Sequence, residues 1–230
     1  METRTITRLR EGRIYAVTDE LISEAHYTLL VNGCKSADFY CSPGQIEALA
    51  VGHAFTSGLL NRRSDLLELS VDEAAGTIAM AAARPLSPPD STPVFPARFR
   101  AAAILNMVGR LNERSEAFRR TGACHSVLLA NAEGELLFAE DVARHNALDK
   151  VIGEMLLRDL SPQGKLLVFS GRVALDMLRK VNRIRVKAVA AVGAPTGAAV
   201  EAARAAGVTV CGFVRPGGMN IYSAPEQVVV

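Results

Sequence analysis

Apolar and polar positions alternate in one part of the chain and recur at helical spacing in another. Residues 13–41 read as strands, and HYTLLV (26–31) and CKSADFYC (34–41) flank Asn32-Gly33. That dipeptide favours a two-residue hairpin turn, whose central positions both need positive φ. Ser42-Pro43-Gly44-Gln45 then predicts a helix start, with Ser42 as cap and Gln45 completing a capping box. Ile46, Leu49, Ala50 and His53 line one face of that helix. Two more strands are expected over residues 66–83, around a turn at Asp72–Gly76.

The pattern breaks at residues 84–97, RPLSPPDSTPVFPA, which hold five of the ten prolines and predict a loop. A helix is expected over Phe99–Arg119, with Ile104, Leu105, Val108 and Leu111 on its apolar side. SVLLA and LLFAE form a hairpin across Asn131–Gly134. A helix follows from about Asn146, carrying Leu148, Val151, Ile152, Met155 and Leu156. Strands at 166–170, 186–192 and 208–213 then alternate with helices at 173–181 and 197–206, the second ended by Gly207. This alternation predicts an α/β domain over residues 98–230 with a mixed, largely parallel, helix-covered sheet. Residues 1–83 predict a smaller β-rich subdomain with one helix. No internal repeat is visible.

Composition narrows the function classes. The 230 residues are 49% hydrophobic and carry 26 basic and 24 acidic side chains, a net charge of +2. That balance argues against a nucleic-acid coat or a membrane-surface protein, so an anionic ligand must be met locally. Trp is absent and aromatics are 5%, which disfavours a base-stacking platform. No apolar run reaches bilayer length, and METRTITRLREGR has no apolar core behind it. The expected location is the cytoplasm, with Cys34, Cys41, Cys124 and Cys211 as free thiols.

In open α/β sheets, ligands bind beyond the carboxyl ends of the strands. The residues at those junctions are Asp141, Arg144, His145 and Asn146; Ser170, Gly171 and Arg172; Gly193, Pro195 and Thr196; and Arg215, Pro216, Gly217, Gly218 and Asn220. Arginines, glycines and helix N-termini together suit a phosphate-bearing ligand. Neither GxGxxG nor GxxxxGK[ST] is present. The densest stretch is Glu140–Lys150, EDVARHNALDK. Asn146 is expected to cap its helix with Asp149 answering, leaving Arg144 and His145 at the positive helix end. Spacing alone leaves two readings open: an anion-binding mouth, or a capped turn in which Arg144 pairs with Asp141 and His145 is structural. Zinc-ligand spacing, the zinc-deaminase pattern and the GxSxG hydrolase elbow are missing.

EDVARHNALDKVIGE resembles the hallmark segment of the FdhD family, the formate dehydrogenase accessory sulfurtransferases. CSPGQIEALAVGHAFTSGLL, TGACH, FSGRVALDMLRK and GAPTGAAVEAARAAGVTVCGFVRPGGMNIYSAPE resemble further family segments, in family order. The resemblance implies a cytidine-deaminase-like fold and a homodimer. It implies sulfur transfer from a cysteine desulfurase to the molybdenum bis(guanine dinucleotide) cofactor on its way into formate dehydrogenase. It places the dinucleotide, or GDP as its surrogate, on Phe213, Val214, Arg215, Pro216, Gly217 and Gly218, with Arg144, His145, Asn146, Arg172 and Thr196 completing the mouth. The family's CxxC pair has no counterpart here, because residues 84–97 contain no cysteine. A sulfur relay needs a thiolate. Cys124, beside His125, is the substitute candidate. The alternative is a cofactor- or GDP-binding chaperone that has lost sulfur transfer; an unrelated nucleotide-binding enzyme ranks below both.

Overall fold

The computed structural model describes residues 1–83 and 94–230, so most of the expected Pro-rich loop lies outside the described residues. The chain opens with a long antiparallel hairpin, β1 (Glu2–Arg10) and β2 (Arg13–Leu21). β3 (Ala25–Val31) and β4 (Cys34–Cys41) follow, joined at Asn32 and Gly33 with φ of 50° and 78°, as the dipeptide required. Next come helix α1 (Ile46–Thr56), β5 (Leu66–Asp72) and β6 (Thr77–Ala82). Strands β3 to β6 form a four-stranded sheet in the order β4-β3-β6-β5.

The second part begins with β7 (Phe99–Arg100), α2 (Ala101–Arg114) and α3 (Glu116–Thr121). The single helix expected over 99–119 is therefore interrupted. At Ser115 the hydroxyl bonds back to the Leu111 carbonyl (2.7 Å) and contacts the Ser126 hydroxyl (2.6 Å), so the chain turns there. Then follow β8 (His125–Ala130), β9 (Glu135–Asp141), α4 (Arg144–Leu157), β10 (Leu166–Phe169), α5 (Leu175–Ile184), β11 (Ala188–Ala191), α6 (Gly197–Ala206), β12 (Thr209–Arg215), β13 (Gly218–Ser223) and β14 (Val228–Val229). α6 ends at Gly207 with φ 60°, as expected.

The larger sheet has the order β13-β12-β11-β10-β8-β9. Only its central pairings, β10 with β11 and β11 with β12, are parallel; the pairings of β13, β8 and β9 are antiparallel. The sheet is mixed rather than largely parallel. The cause is the β8–β9 hairpin on one side and β13, absent from the sequence reading, on the other.

Alternate residues of each strand enter different cores, as the period of two demands. Leu129, Leu167, Val189 and Val210 pack with α4, α5 and α6, while Leu128, Val168, Ala190 and Cys211 pack against Ile104, Met107 and Val108 of α2. The first core runs on without interruption through α1 to Leu29, Phe39 and Ile78 of the four-stranded sheet. α1 and α4 cross in backbone contact at glycines: a Cβ built on Gly52 would sit 1.9 Å from the Asp149 carbonyl oxygen, and one on Gly153 1.8 Å from that of Ala48.

Candidate functional site

The Glu140–Lys150 stretch divides into two sets of side chains with opposite destinations. Asp141 and Lys150 are 0% and 1% exposed and form an ion pair of 2.7 Å. Lys150 also donates to the carbonyls of Ser42 (2.9 Å) and Glu140 (3.4 Å). The Asp141 carboxylate accepts from the backbone amides of Ser42 and Ala143 and from the Asn146 amide group. Asn146 donates as well to the Tyr40 carbonyl (2.9 Å). This network ties β9 and α4 to the end of β4.

Several sequence expectations are corrected by it. Arg144 does not pair with Asp141, whose charge is taken by Lys150. Asn146 does not cap α4, which starts at Arg144 with Ala143 as its N-cap. Asp149 does not answer a cap; it is buried and bonded to Lys180 and to the Thr56 hydroxyl (3.1 Å). Ser42 does not cap α1, whose N-cap is Gln45 with φ 54°. The Ser42 hydroxyl instead accepts from the Val142 amide (3.1 Å).

Arg144 and His145 take the other direction. They form the first turn of α4, which starts two residues earlier than the expected Asn146, at the end of the large sheet, and the Nε of Arg144 is buried without a hydrogen-bond partner. His145 lies 3.2 Å from the Asp176 carboxylate. A Cβ on Gly171 would fall 3.2 Å from Nδ1 of His125 and 3.9 Å from Cδ of Arg144, so Gly171, His125 and Arg144 form one cluster. The Gly193 amide donates to the Gly171 carbonyl (3.2 Å), and the Phe213 amide donates to the Gly193 carbonyl (3.2 Å). Arg215 donates to the carbonyl of Val192 (2.7 Å). The ends of β8, β10, β11 and β12 therefore make a continuous row: His125, Gly171, Gly193, Phe213.

Phe213 carries a positive φ of 52° in an irregular stretch of β12, with its side chain 48% exposed. A left-handed phenylalanine is rare and marks a held conformation. Arg172 is exposed beside this row. Pro216 and Gly217 form the exposed turn between β12 and β13, with Gly218 opening β13. Two expected residues have other tasks. Val214 is 1% exposed and packed in the α2 core, so its side chain faces away from the mouth. The Thr196 hydroxyl accepts from the Ala199 amide (3.3 Å) and caps α6.

Sequence reasoning passes over His125. In sequence it is only the neighbour of Cys124, and no spacing marks it as facing Arg144. Burial, then Arg144, lowers its pKa from the ordinary 6.5, which holds it neutral at pH 7.

The thiols are less promising. Cys124 is 4% exposed, and burial followed by the Glu140 carboxylate pushes its pKa up to about 12. Its Sγ contacts Glu140 at 3.3 Å, and Glu140 also accepts from the α3 amides of Ala117 and Phe118. This environment disfavours the thiolate that a sulfur relay through Cys124 would need. Burial raises Cys41 and Cys211 to about 11 each. Cys34 is exposed. No group of three metal-ligating side chains occurs among the described residues, and none of their helices is long and apolar enough to cross a membrane.

A family model described as the FdhD/NarQ family matches residues 22–92 and 88–229. The sulfur carrier protein FdhD of Bacillus subtilis is 30% identical over 252 residues, covering 98% of this chain and 96% of that protein. The protein of the same name from Staphylococcus aureus strain MRSA252 is 29% identical over 251 residues, covering 97% and 95%. A crystal structure from Desulfotalea psychrophila, described as a formate dehydrogenase accessory protein, superposes with a TM-score of 0.89 at 24% identity over 99% of each chain, a likeness of fold.

Proposed function

The chain belongs to the FdhD/NarQ family, and on that premise we propose that it serves formate dehydrogenase maturation by holding the molybdenum bis(guanine dinucleotide) cofactor, as substrate, at the strand-end mouth. The observation that carries this reading is the buried, unpartnered Nε of Arg144 beside His125 and Gly171. A buried guanidinium nitrogen without a partner costs free energy, and a phosphate oxygen is its natural complement. Gly171 adds no side chain between His125 and Arg144, which leaves that space for a phosphate, while Gly193 packs against the Gly171 backbone. Phe213 and Arg215, at the far end of the row, suit a purine ring and its phosphates.

Taking part in sulfuration of that cofactor is the finer part of the proposal, with a cysteine desulfurase as donor. A second reading, a cofactor holder that does not carry sulfur itself, is favoured by the thiols. Residues 84–97 hold no cysteine, and Cys41, Cys124 and Cys211 are buried with raised pKa values. A sulfur-accepting thiol must be accessible and readily ionised.

Two measurements decide. GDP should raise the melting temperature of the wild-type protein, by an amount set by ligand excess over Kd, and Arg144→Ala should remove most of that shift. No shift in the wild type would remove the support for a cofactor mouth. Incubation with a cysteine desulfurase and cysteine, followed by intact-protein mass spectrometry, tests the sulfur step. A persulfide on Cys34 would favour the carrier; no added sulfur on any cysteine would leave the holder.

A further inference from the structure

A charged seam leads inward from the mouth between α4 and α5. His145 and Asp149 stand one turn apart on α4, and Asp176 and Lys180 one turn apart on α5. They meet as two rungs of opposite polarity. At the mouth, Nε2 of His145 lies 3.2 Å from Oδ2 of Asp176. One turn deeper, the Asp149 carboxylate pairs with Lys180 and accepts from the Thr56 hydroxyl (3.1 Å). The deeper rung is enclosed, with the Asp149 and Lys180 side chains 2% and 19% exposed. The outer rung is open, at 34% for His145 and 54% for Asp176. A pair that exposed adds little to stability, so the outer rung calls for another role.

Asp176 is held ready for one. Its Oδ1 accepts from the Met177 amide (2.8 Å) in the first turn of α5, and its Oδ2 is the oxygen turned to His145. The carboxylate engages the imidazole through Nε2 and leaves Nδ1 to take up a further proton. Burial lowers the His145 pKa, and Asp176 is the largest influence opposing it. At His125, burial and then Arg144 both act against protonation. The two histidines of the mouth therefore differ in which charge stands beside them.

The charges around His145 can be counted. Arg144 and Asp149 act on it from its own helix, and Asp176 and Lys180 from α5. From α1, His53 faces Asp149, with Nδ1 3.8 Å from Oδ2. Asp149 and Lys180 cancel each other, and so do Arg144 and Asp176. This edge of the mouth is neutral while His145 is neutral, and it gains one positive charge when His145 takes up a proton. We propose that Asp176 is a positioning residue: it presents His145 so that a proton taken up on Nδ1 turns the α4–α5 edge into an anion site, and a phosphate-bearing ligand is admitted there as pH falls. This rests on the phosphate mouth proposed above and goes further by assigning its pH response to one histidine and one carboxylate. With His145 neutral, Asp176 repels a phosphate; with His145 protonated, Nδ1–H donates to it.

Asp176→Asn keeps the shape and removes the charge. In NMR titrations of the ligand-free protein, His145 should titrate at lower pH in Asp176→Asn than in the wild type, and His125 at the same pH in both. Calorimetry with GDP as probe gives the second readout. The ratio of wild-type to Asp176→Asn affinity, in which the ligand's own ionisation cancels, should rise about three-fold or more between about pH 8 and pH 6. A merely structural role would change affinity by one factor at every pH. His145→Gln tests the same response without touching α5: its ratio to the wild type should rise likewise, and in that background Asp176→Asn should add no further pH dependence. Ratios that stay flat with pH, or a His145 titration that Asp176→Asn does not move, overturn this role for Asp176 and leave the mouth standing. GDP that fails to bind the wild type at any of these pH values overturns the mouth, and this inference with it.

Discussion

At the scale of single residues, Glu140–Lys150 combines a buried support and two side chains directed to the strand-end row in one segment. Asp141, Asn146 and Lys150 are consumed by the buried network, and Arg144 and His145 are left for the mouth. Removing one partner of a fully buried pair strands the other charge, at about 3–5 kcal/mol. Lys150→Met is therefore expected to destabilise by about that amount in urea titrations. Lys150→Met with Asp141→Asn should recover much of it, since no charge then remains unpaired. The mouth has its own pH signature. Burial lowers the pKa of both His125 and His145 below 6.5, opposed at His145 by Asp176. The unfolded chain protonates first, so their contribution to stability is present above pH 6.5 and lost as pH falls through the folded values. A bound phosphate reverses the local preference by favouring the imidazolium, so binding takes up protons. GDP affinity measured by calorimetry should fall less between pH 7.5 and 5.5 in the wild type than in His125→Ala/His145→Ala. That comparison cancels the ligand's own phosphate ionisation, near pH 6. Identical pH profiles would move the phosphate away from the histidines. The sequence made Arg144 and His145 legible because they sit where a helix starts after a strand. It hid Lys150, since nothing local shows that a lysine between Asp149 and Val151 points inward.

At the scale of elements, backbone contact sets the tolerances. Gly52 and Gly153 are where α1 and α4 touch, and an alanine methyl at either position would fall inside van der Waals distance of a carbonyl oxygen. Backbone cannot swing aside as a side chain can. Gly52→Ala and Gly153→Ala are each expected to cost several kcal/mol, about the upper range for overpacking. Gly109, in α2, faces open space, and a methyl group there would meet no atom within 4 Å. Gly109→Ala should therefore stabilise by about 0.5–1 kcal/mol through helix propensity. Chemical denaturation of the three variants checks all of this. Element legibility follows similar physics. The Asn32-Gly33 turn and the Gly207 stop are readable because local backbone chemistry fixes them. β1 is not legible as a strand, because Thr and Arg alternate along it and neither face is apolar. β13 escapes for a related reason: GMNIYS is short and only half apolar, and its place in the sheet comes from pairing with β12.

At the scale of the whole molecule, the four-stranded sheet and the six-stranded sheet share one buried core, although the sequence suggests two parts around a Pro-rich break. Leu29, Phe39 and Ile78 from the first part and Val151, Ile152 and Leu178 from the second belong to the same cluster. Arg183 of α5 reinforces the junction: it donates to the Phe55 and Leu60 carbonyls and to the Asn61 side chain, and its guanidinium lies 5.0 Å from the centre of the Phe55 ring. The inner face of α4 is covered by α1, and the network that holds the Arg144 end of α4 closes on Ser42 and Tyr40. Placement of the mouth thus depends on residues about a hundred positions earlier in the chain. A fragment comprising residues 98–230 would expose the α4 face at Gly153 and leave Asp141 and Lys150 without the backbone partners at Ser42. It is expected to be poorly soluble or to melt without a cooperative transition. The full chain should unfold in one calorimetric transition whose van't Hoff and calorimetric enthalpies agree. Co-expression of residues 1–97 with 98–230 should restore both solubility and GDP stabilisation, because the lost partners return in trans. Two separate transitions in the full chain, with the upper one alone shifted by GDP, would mean that the mouth stands without α1 and β4.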